Sequence, residues 1–169
     1  MNGVSNAERG LSVETWRALA QAGQPAPMRF FVTGDSMVPF IRGGKDELTL
    51  VPMDRPPRIG DVVLFPHGSL PRRYVLHRVW KIEGDRVQTF GDGCMKPDGW
   101  MGMDRVWGRV VGIRRNGRFL NPDNRWLRVA ETLWVRTWRV RRWLLWIFLP
   151  ERAVAAIGRR LPVKWRLMI

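Results

Sequence analysis

The sequence predicts a mainly β protein, a compact barrel or sandwich with a short N-terminal helix and a C-terminal helical extension. Three observations predict it. Between residues 28 and 119, short apolar runs recur between Gly, Pro, Asp and Asn punctuation. No helix of crossover length lies between those runs, which argues against a parallel sheet. Near residue 120 both the composition and the hydrophobic period change. The expected division is therefore a helical segment over 1–27, a β-rich domain over 28–119 and a basic, Trp-rich amphipathic tail over 120–169. With 169 residues, 45% of them hydrophobic, the chain can build one ordinary domain with a real core.

The first segment holds one helix. Ser12 is its expected N-cap, Glu14 suits the positive end of the helix dipole, and Trp16, Leu19 and Ala20 form an apolar face. Gly23 and Pro25-Ala26-Pro27 stop it. Strands are expected over 29–32, 47–51, 61–65, 74–82, 86–90 and 106–113, with turns at Arg42-Gly43-Gly44, Gly60-Asp61, Glu83-Gly84-Asp85 and Asn116-Gly117. From Pro122 a helical period sets in. Trp126, Leu127, Val129, Ala130, Leu133, Trp134, Trp138, Val140, Leu144 and Leu145 share one broad face, and Arg125, Arg128, Arg136, Arg139 and Arg142 gather on the other. Pro150 ends this helix, and Ala153 to Leu161 offers a shorter one.

Composition excludes several classes. The single Cys94 leaves no intrachain disulfide, and one cysteine with two histidines is a poor set for a structural zinc site. The start MNGVSNAERGLSVETW has neither the basic nor the apolar region of an export signal. The longest apolar run, Trp143 to Leu149, falls well short of the ~20 residues that a spanning helix needs. A net charge of +14 points to an anionic partner. Residues 121–169 carry 11 of the 29 Lys and Arg but 3 of the 15 acids, a net of +8, together with six of the ten Trp.

The chemistry lies in the β-rich region. In Gly34-Asp35-Ser36-Met37-Val38-Pro39, Gly34 permits a tight turn that brings backbone amides near a bound carbonyl, and Ser36 reads either as an ordinary turn serine or as an exposed nucleophile. Met37 can bury beside it. In Tyr74-Val75-Leu76-His77-Arg78-Val79-Trp80, alternation sets Val75, His77 and Val79 on one face and Leu76, Arg78 and Trp80 on the other. His77 reads either as a hydrogen-bonded core histidine or as a general base; His67 reads as a solvated loop residue. In Gly91-Asp92-Gly93-Cys94-Met95-Lys96-Pro97-Asp98-Gly99, Asp92 and Asp98 are turn formers or the carboxylate that orients His77, and Cys94 reads as a small buried filler.

Taken in order, Gly34-x-Ser36-Met37-x-Pro39, Gly60-Asp61-Val62-Val63-Leu64-Phe65, Leu76-His77-Arg78-Val79 and Gly91-Asp92 followed by Asp98 resemble the type I signal peptidase superfamily. The likeness is to the branch found in archaea and the endoplasmic reticulum, and it covers roughly residues 30–113. It implies a β-rich peptidase fold that cuts peptide bonds after small residues without metal or cofactor. It also implies that Ser36 is the nucleophile, His77 the base and Asp98 its orienting carboxylate, with Gly34, Met37 and Asp92 in support. Three features depart from the pattern. Gly34 stands where relatives often have a serine hydroxyl, Gly93-Cys94 replace an asparagine pair, and no spanning helix precedes Ser36.

The tail bears on attachment. An Arg-faced, Trp-rich helix has the composition of one lying in a bilayer interface, so residues 121–149 are expected to meet an anionic membrane surface, on the cytoplasmic side of the inner membrane. The competing expectation is that its apolar face packs on the β domain. Nucleic acid is the weakest candidate partner, because helical spacing separates the Trp from most of the Arg. Two function classes follow: a peripherally attached serine endopeptidase acting on a leader or preprotein, or a catalytically weak binding module that uses its basic tail.

Overall fold

The computed structural model describes residues 4–5, 12–68, 73–122, 124, 129–130, 133–134 and 137. By its internal contacts the chain forms two compact units, Met1–Val135 and Arg136–Ile169. The expected tail helix lies mostly outside the described residues; those at 129–130 and 133–134 are helical.

Elements follow one another as β1 (Val4–Ser5), α1 (Val13–Gln21), β2 (Met28–Val32), β3 (Asp46–Pro52), β4 (Val62–Pro66), β5 (Tyr74–Glu83), β6 (Arg86–Phe90), β7 (Trp100–Gly102), a 3-10 turn (Met103–Arg105), β8 (Gly108–Arg115) and β9 (Arg118–Leu120). Among the described residues the molecule is thus mainly β, with α1 its one complete helix. Ser12 caps α1 by accepting the Thr15 N–H at 3.1 Å. The chain leaves the helix through Gly23 at φ +77°, as its position after the last apolar residue predicts. The buried stripe differs from the expected one: Val13 and Trp16 are buried while Leu19 is exposed. The Trp16 indole N–H reaches the Ala26 carbonyl at 2.7 Å, and that bond rotates the Val13–Trp16 edge inward.

All strands join one antiparallel sheet in the order β1-β2-β3-β8-β4-β5-β6-β7, with β9 beside β8. Along one edge, β8 gives its first residues to β4 (Val63↔Arg109, Leu64↔Gly108) and its last to β9. Among the described residues nothing pairs β1 with β7, so the sheet is open and the expected barrel closure is not seen. Its outermost strands have two and three residues, too short to form a closing ladder.

The core explains the placement of the site. β4 is buried on both faces: Val62 and Leu64 join a core with Phe30, Leu48, Leu50, Leu76 and Met37, while Val63 and Phe65 join a second with Val79, Val87 and Met101. Period-two alternation divides β5 likewise, with Tyr74 and Leu76 in the first core and Val75 and Val79 in the second. His77 therefore lies on the side of the second core, and the Phe65 ring meets its imidazole edge-on with centroids 6.2 Å apart.

Candidate active site

Two loops and one strand supply the site. The first loop, between β2 and β3, folds back on itself: the Gly44 N–H donates to the Val32 carbonyl at 2.7 Å, and Gly43 lies so close to Gly34 that a Cβ there would stand 2.6 Å from the Gly34 oxygen. Within this closed loop Val38 N–H donates to Asp35 O and Ile41 N–H to Met37 O, which turns the chain around Ser36. Met37 and Ile41 are buried in the first core and anchor the turn, leaving Ser36 half-buried.

His77 is 7% exposed and comes from the middle of β5. Its Nδ1 lies 2.7 Å from Asp98 Oδ2, and that oxygen also accepts the Thr89 hydroxyl at 2.6 Å. Asp98 is further held through its backbone, its N–H donating to Thr89 O at 2.9 Å and its carbonyl accepting Gln88 Nε2 at 2.9 Å. An aspartate held by three bonds besides that to His77 sets the imidazole plane and keeps a proton on Nδ1, so that Nε2 is the nitrogen placed to exchange one.

Nε2 faces the two loops. A Cβ built on Gly91 would lie 2.8 Å from Nε2, 2.7 Å from the Ser36 carbonyl oxygen and 2.6 Å from Cys94 Sγ. Gly91 is thus the point where β5, the Ser36 loop and the 91–99 loop meet, and only a residue without a side chain fits there. The Gly93 N–H ties the loops together by donating to Ser36 O at 2.8 Å. Nε2 pairs with Cys94 Sγ at 4.0 Å; among the described residues no hydrogen bond joins Nε2 to Ser36 Oγ. Cys94 is half-buried and stands beside His77 itself, which corrects its expected place as a buried filler.

Burial alone would lower the pKa of His77. The Asp98 hydrogen bond and charge, aided by Cys94, outweigh it and push the imidazole up to about 9.

Asp92 has a different task. It is fully buried and receives Arg78 Nε at 2.9 Å and Arg78 NH2 at 2.7 Å, a bidentate pair, while Arg78 NH1 donates to Gly60 O at 2.9 Å. The pair bolts the 91–99 loop to β5 on the face opposite His77. Of the residues singled out from sequence, His77 and Asp98 are bonded, and the Ser36 turn packs on Nε2 through Gly91. Gly34 and Met37 shape that turn, and Asp92 supports it from behind. Sequence reasoning missed Thr89, Gly91 as the meeting point, the Arg78–Asp92 clamp and Trp134, whose indole N–H donates to Asp92 O at 2.9 Å. Adjacent His and Arg on one strand, alternating to opposite faces, were the available signal for the clamp. Among the described residues no group of three or more His, Cys, Asp or Glu is placed to hold a metal ion.

No protein-family model, curated protein or solved structure matches this chain.

Proposed function

We propose that the chain is a serine endopeptidase of the signal-peptidase type, with its strands arranged as in that superfamily. The observation that carries this reading is the buried His77 held by Asp98 at 2.7 Å with its other nitrogen turned toward the Ser36 loop. Ser36 Oγ attacks the carbonyl carbon of the scissile bond, and His77 Nε2 takes its proton and returns it to the departing amine. Water then releases the acyl group from Ser36 by the same route in reverse. Asp98 stabilises the imidazolium formed at each step. The Ser36 N–H supplies one oxyanion donor; with Gly34 in place of a hydroxyl, the loss of a second donor costs on the order of 10²-fold in rate. Rotation of Ser36 toward Nε2 on substrate binding fits the general tightening of catalytic hydrogen bonds in complexes.

The substrate is a leader or preprotein segment with a small residue before the cut. The basic tail holds the enzyme at an anionic membrane surface, on the cytoplasmic side of the inner membrane. One observation favours a second reading, a weakly active or inactive binding module: Nε2 pairs with Cys94 Sγ rather than with the Ser36 hydroxyl.

Cleavage of leader-like peptides by single and double variants separates the two. Ser36→Ala and His77→Ala are each expected to abolish most cleavage, and the double variant to be little worse than either, because the two act as a unit. Partial activity in His77→Lys would add support, since a desolvated lysine can serve as the base. Undiminished cleavage by Ser36→Ala would sink the assignment of Ser36 as nucleophile, whereas no cleavage by the wild type would leave the binding-module reading.

A further inference from the structure

Trp134 lies beyond the region that the motifs mark as the peptidase, yet it touches both loops of the site. Its indole is a donor only, and a packed indole seeks an acceptor. That acceptor is the Asp92 carbonyl at 2.9 Å. The same indole ring meets the Phe40 ring edge-on, with centroids 6.2 Å apart and planes at 86°. Phe40 belongs to the Ser36 loop and Asp92 to the loop that carries Asp98. Two further contacts close the circuit: Arg78 Cζ lies 5.8 Å from the Phe40 ring centroid while its nitrogens hold Asp92, and the Gly93 N–H bonds the Ser36 carbonyl.

From these contacts we infer that Trp134 is a positioning residue for the reaction proposed above, locking the Ser36 loop and the Asp98 loop together from outside the β-rich region. It touches no reacting atom and acts through Asp92 and Phe40. The inference rests on the peptidase reading. Its chemical content is a division of labour: the indole N–H fixes the height of the 91–99 loop, and the ring edge fixes the Phe40 end of the Ser36 turn. Because a displacement of about 1 Å in a reacting group can cost 10²-fold in rate, a single hydrogen bond at this junction is enough to matter. The helical residues at 133–134 are then part of the site's machinery.

Trp134→Phe keeps an aromatic ring against Phe40 and removes only the N–H, so it tests the bond without emptying the space. With full-length protein, two quantities are read for wild type and Trp134→Phe: the rate at which a serine-reactive phosphonate labels Ser36, and the titration of His77 by proton NMR. The chain has two histidines, and the exposed His67 serves as the internal reference. Facing His77 are Asp98 and Cys94 of the 91–99 loop, so a loosened loop weakens both influences. The expected result, read above pH 9 so that His77 is mainly neutral in both proteins, is labelling slowed about tenfold, the scale of one lost hydrogen bond, with the His77 midpoint moved down from about 9 and the melting temperature nearly unchanged. Labelling within about twofold of wild type, or slower labelling with an unmoved His77 midpoint, overturns the inference. Absence of labelling in the wild type overturns the peptidase reading instead.

Discussion

At the residue scale the account turns on His77. Only the neutral imidazole can accept the Ser36 proton, and the folded site holds His77 protonated up to about 9. Peptidase turnover is therefore expected to rise with pH, about tenfold per unit below that midpoint, and to level above it; a profile that is flat from pH 6 upward would contradict this. The same shift bears on stability. A group whose pKa is higher folded than unfolded stabilises the fold fully below the unfolded value of about 6.5. That stabilisation is lost as pH rises through about 9. Asp98→Asn removes the main influence that raises the pKa, so the midpoint is expected to fall and turnover to drop heavily while the fold persists. Gly91→Ala forces a Cβ against Ser36 O, His77 Nε2 and Cys94 Sγ. Its expected effect is a loss of about 10²-fold or more in Ser36 reactivity, checked by phosphonate labelling. His77 and Asp98 were legible because motif order and strand alternation identify them. Thr89 and Cys94 were not, since neither reaches the His77–Asp98 pair until β5, β6 and the following loop adopt their register.

Among the elements, the β5–β6 hairpin and the loop after it bear the largest stake. Arg78 and Asp92 have side-chain exposures of 4% and 0%, so Asp92→Asn removes the counter-charge of a buried guanidinium. Breaking such a pair from one side costs about 3–5 kcal/mol, to be read as a lower denaturant midpoint at an unchanged slope. By contrast Arg114–Glu47, 3.8 Å apart and partly solvated, is expected to contribute at most about 1 kcal/mol. The Ser36 loop is closed by a further pair, Asp46 with Arg115. Burial pushes Asp46 up, but the Arg115 hydrogen bonds, the Arg42 amide and both guanidinium charges hold it below its usual value. This contribution is present above the ordinary carboxylate range and fades as pH falls through the lowered pKa. Strand positions were readable where an apolar pattern, alternating or unbroken, ran for four residues or more, as in β2 through β6 and in β8. β7 and β9, with three residues each, carry too little pattern to read. The two-faced burial of β4 was written in Val62-Val63-Leu64-Phe65, an unbroken apolar run of the kind that marks a strand covered on both sides.

At the scale of the whole molecule, charge and composition separate attachment from chemistry. The compact unit that contains the site runs to Val135, past the change in composition near residue 120. A chain cut after Val135 keeps Trp134 and is expected to retain Ser36 reactivity while losing its hold on anionic vesicles. A chain cut after Leu120 is expected to lose both. In the full chain, vesicle binding should weaken with salt without vanishing, because Arg charges act within a Debye length whereas inserted Trp side chains do not depend on it. Sedimentation with vesicles at two salt concentrations reads this, and Trp138→Ser should reduce binding even at low salt. Tight binding to oligonucleotides with indifference to vesicles would exclude the membrane reading. Barrel closure could not be read from the sequence, since whether outer strands meet depends on the lengths of β1 and β7, which carry the least pattern.

The central claim is that Ser36 is a nucleophile activated by His77. Its most direct test is intact-mass measurement after incubation with a serine-reactive phosphonate at pH 9. The account predicts one adduct on wild type, located on Ser36, none on Ser36→Ala, and slow labelling of His77→Ala. An unlabelled wild type, or an adduct that survives Ser36→Ala, would contradict it.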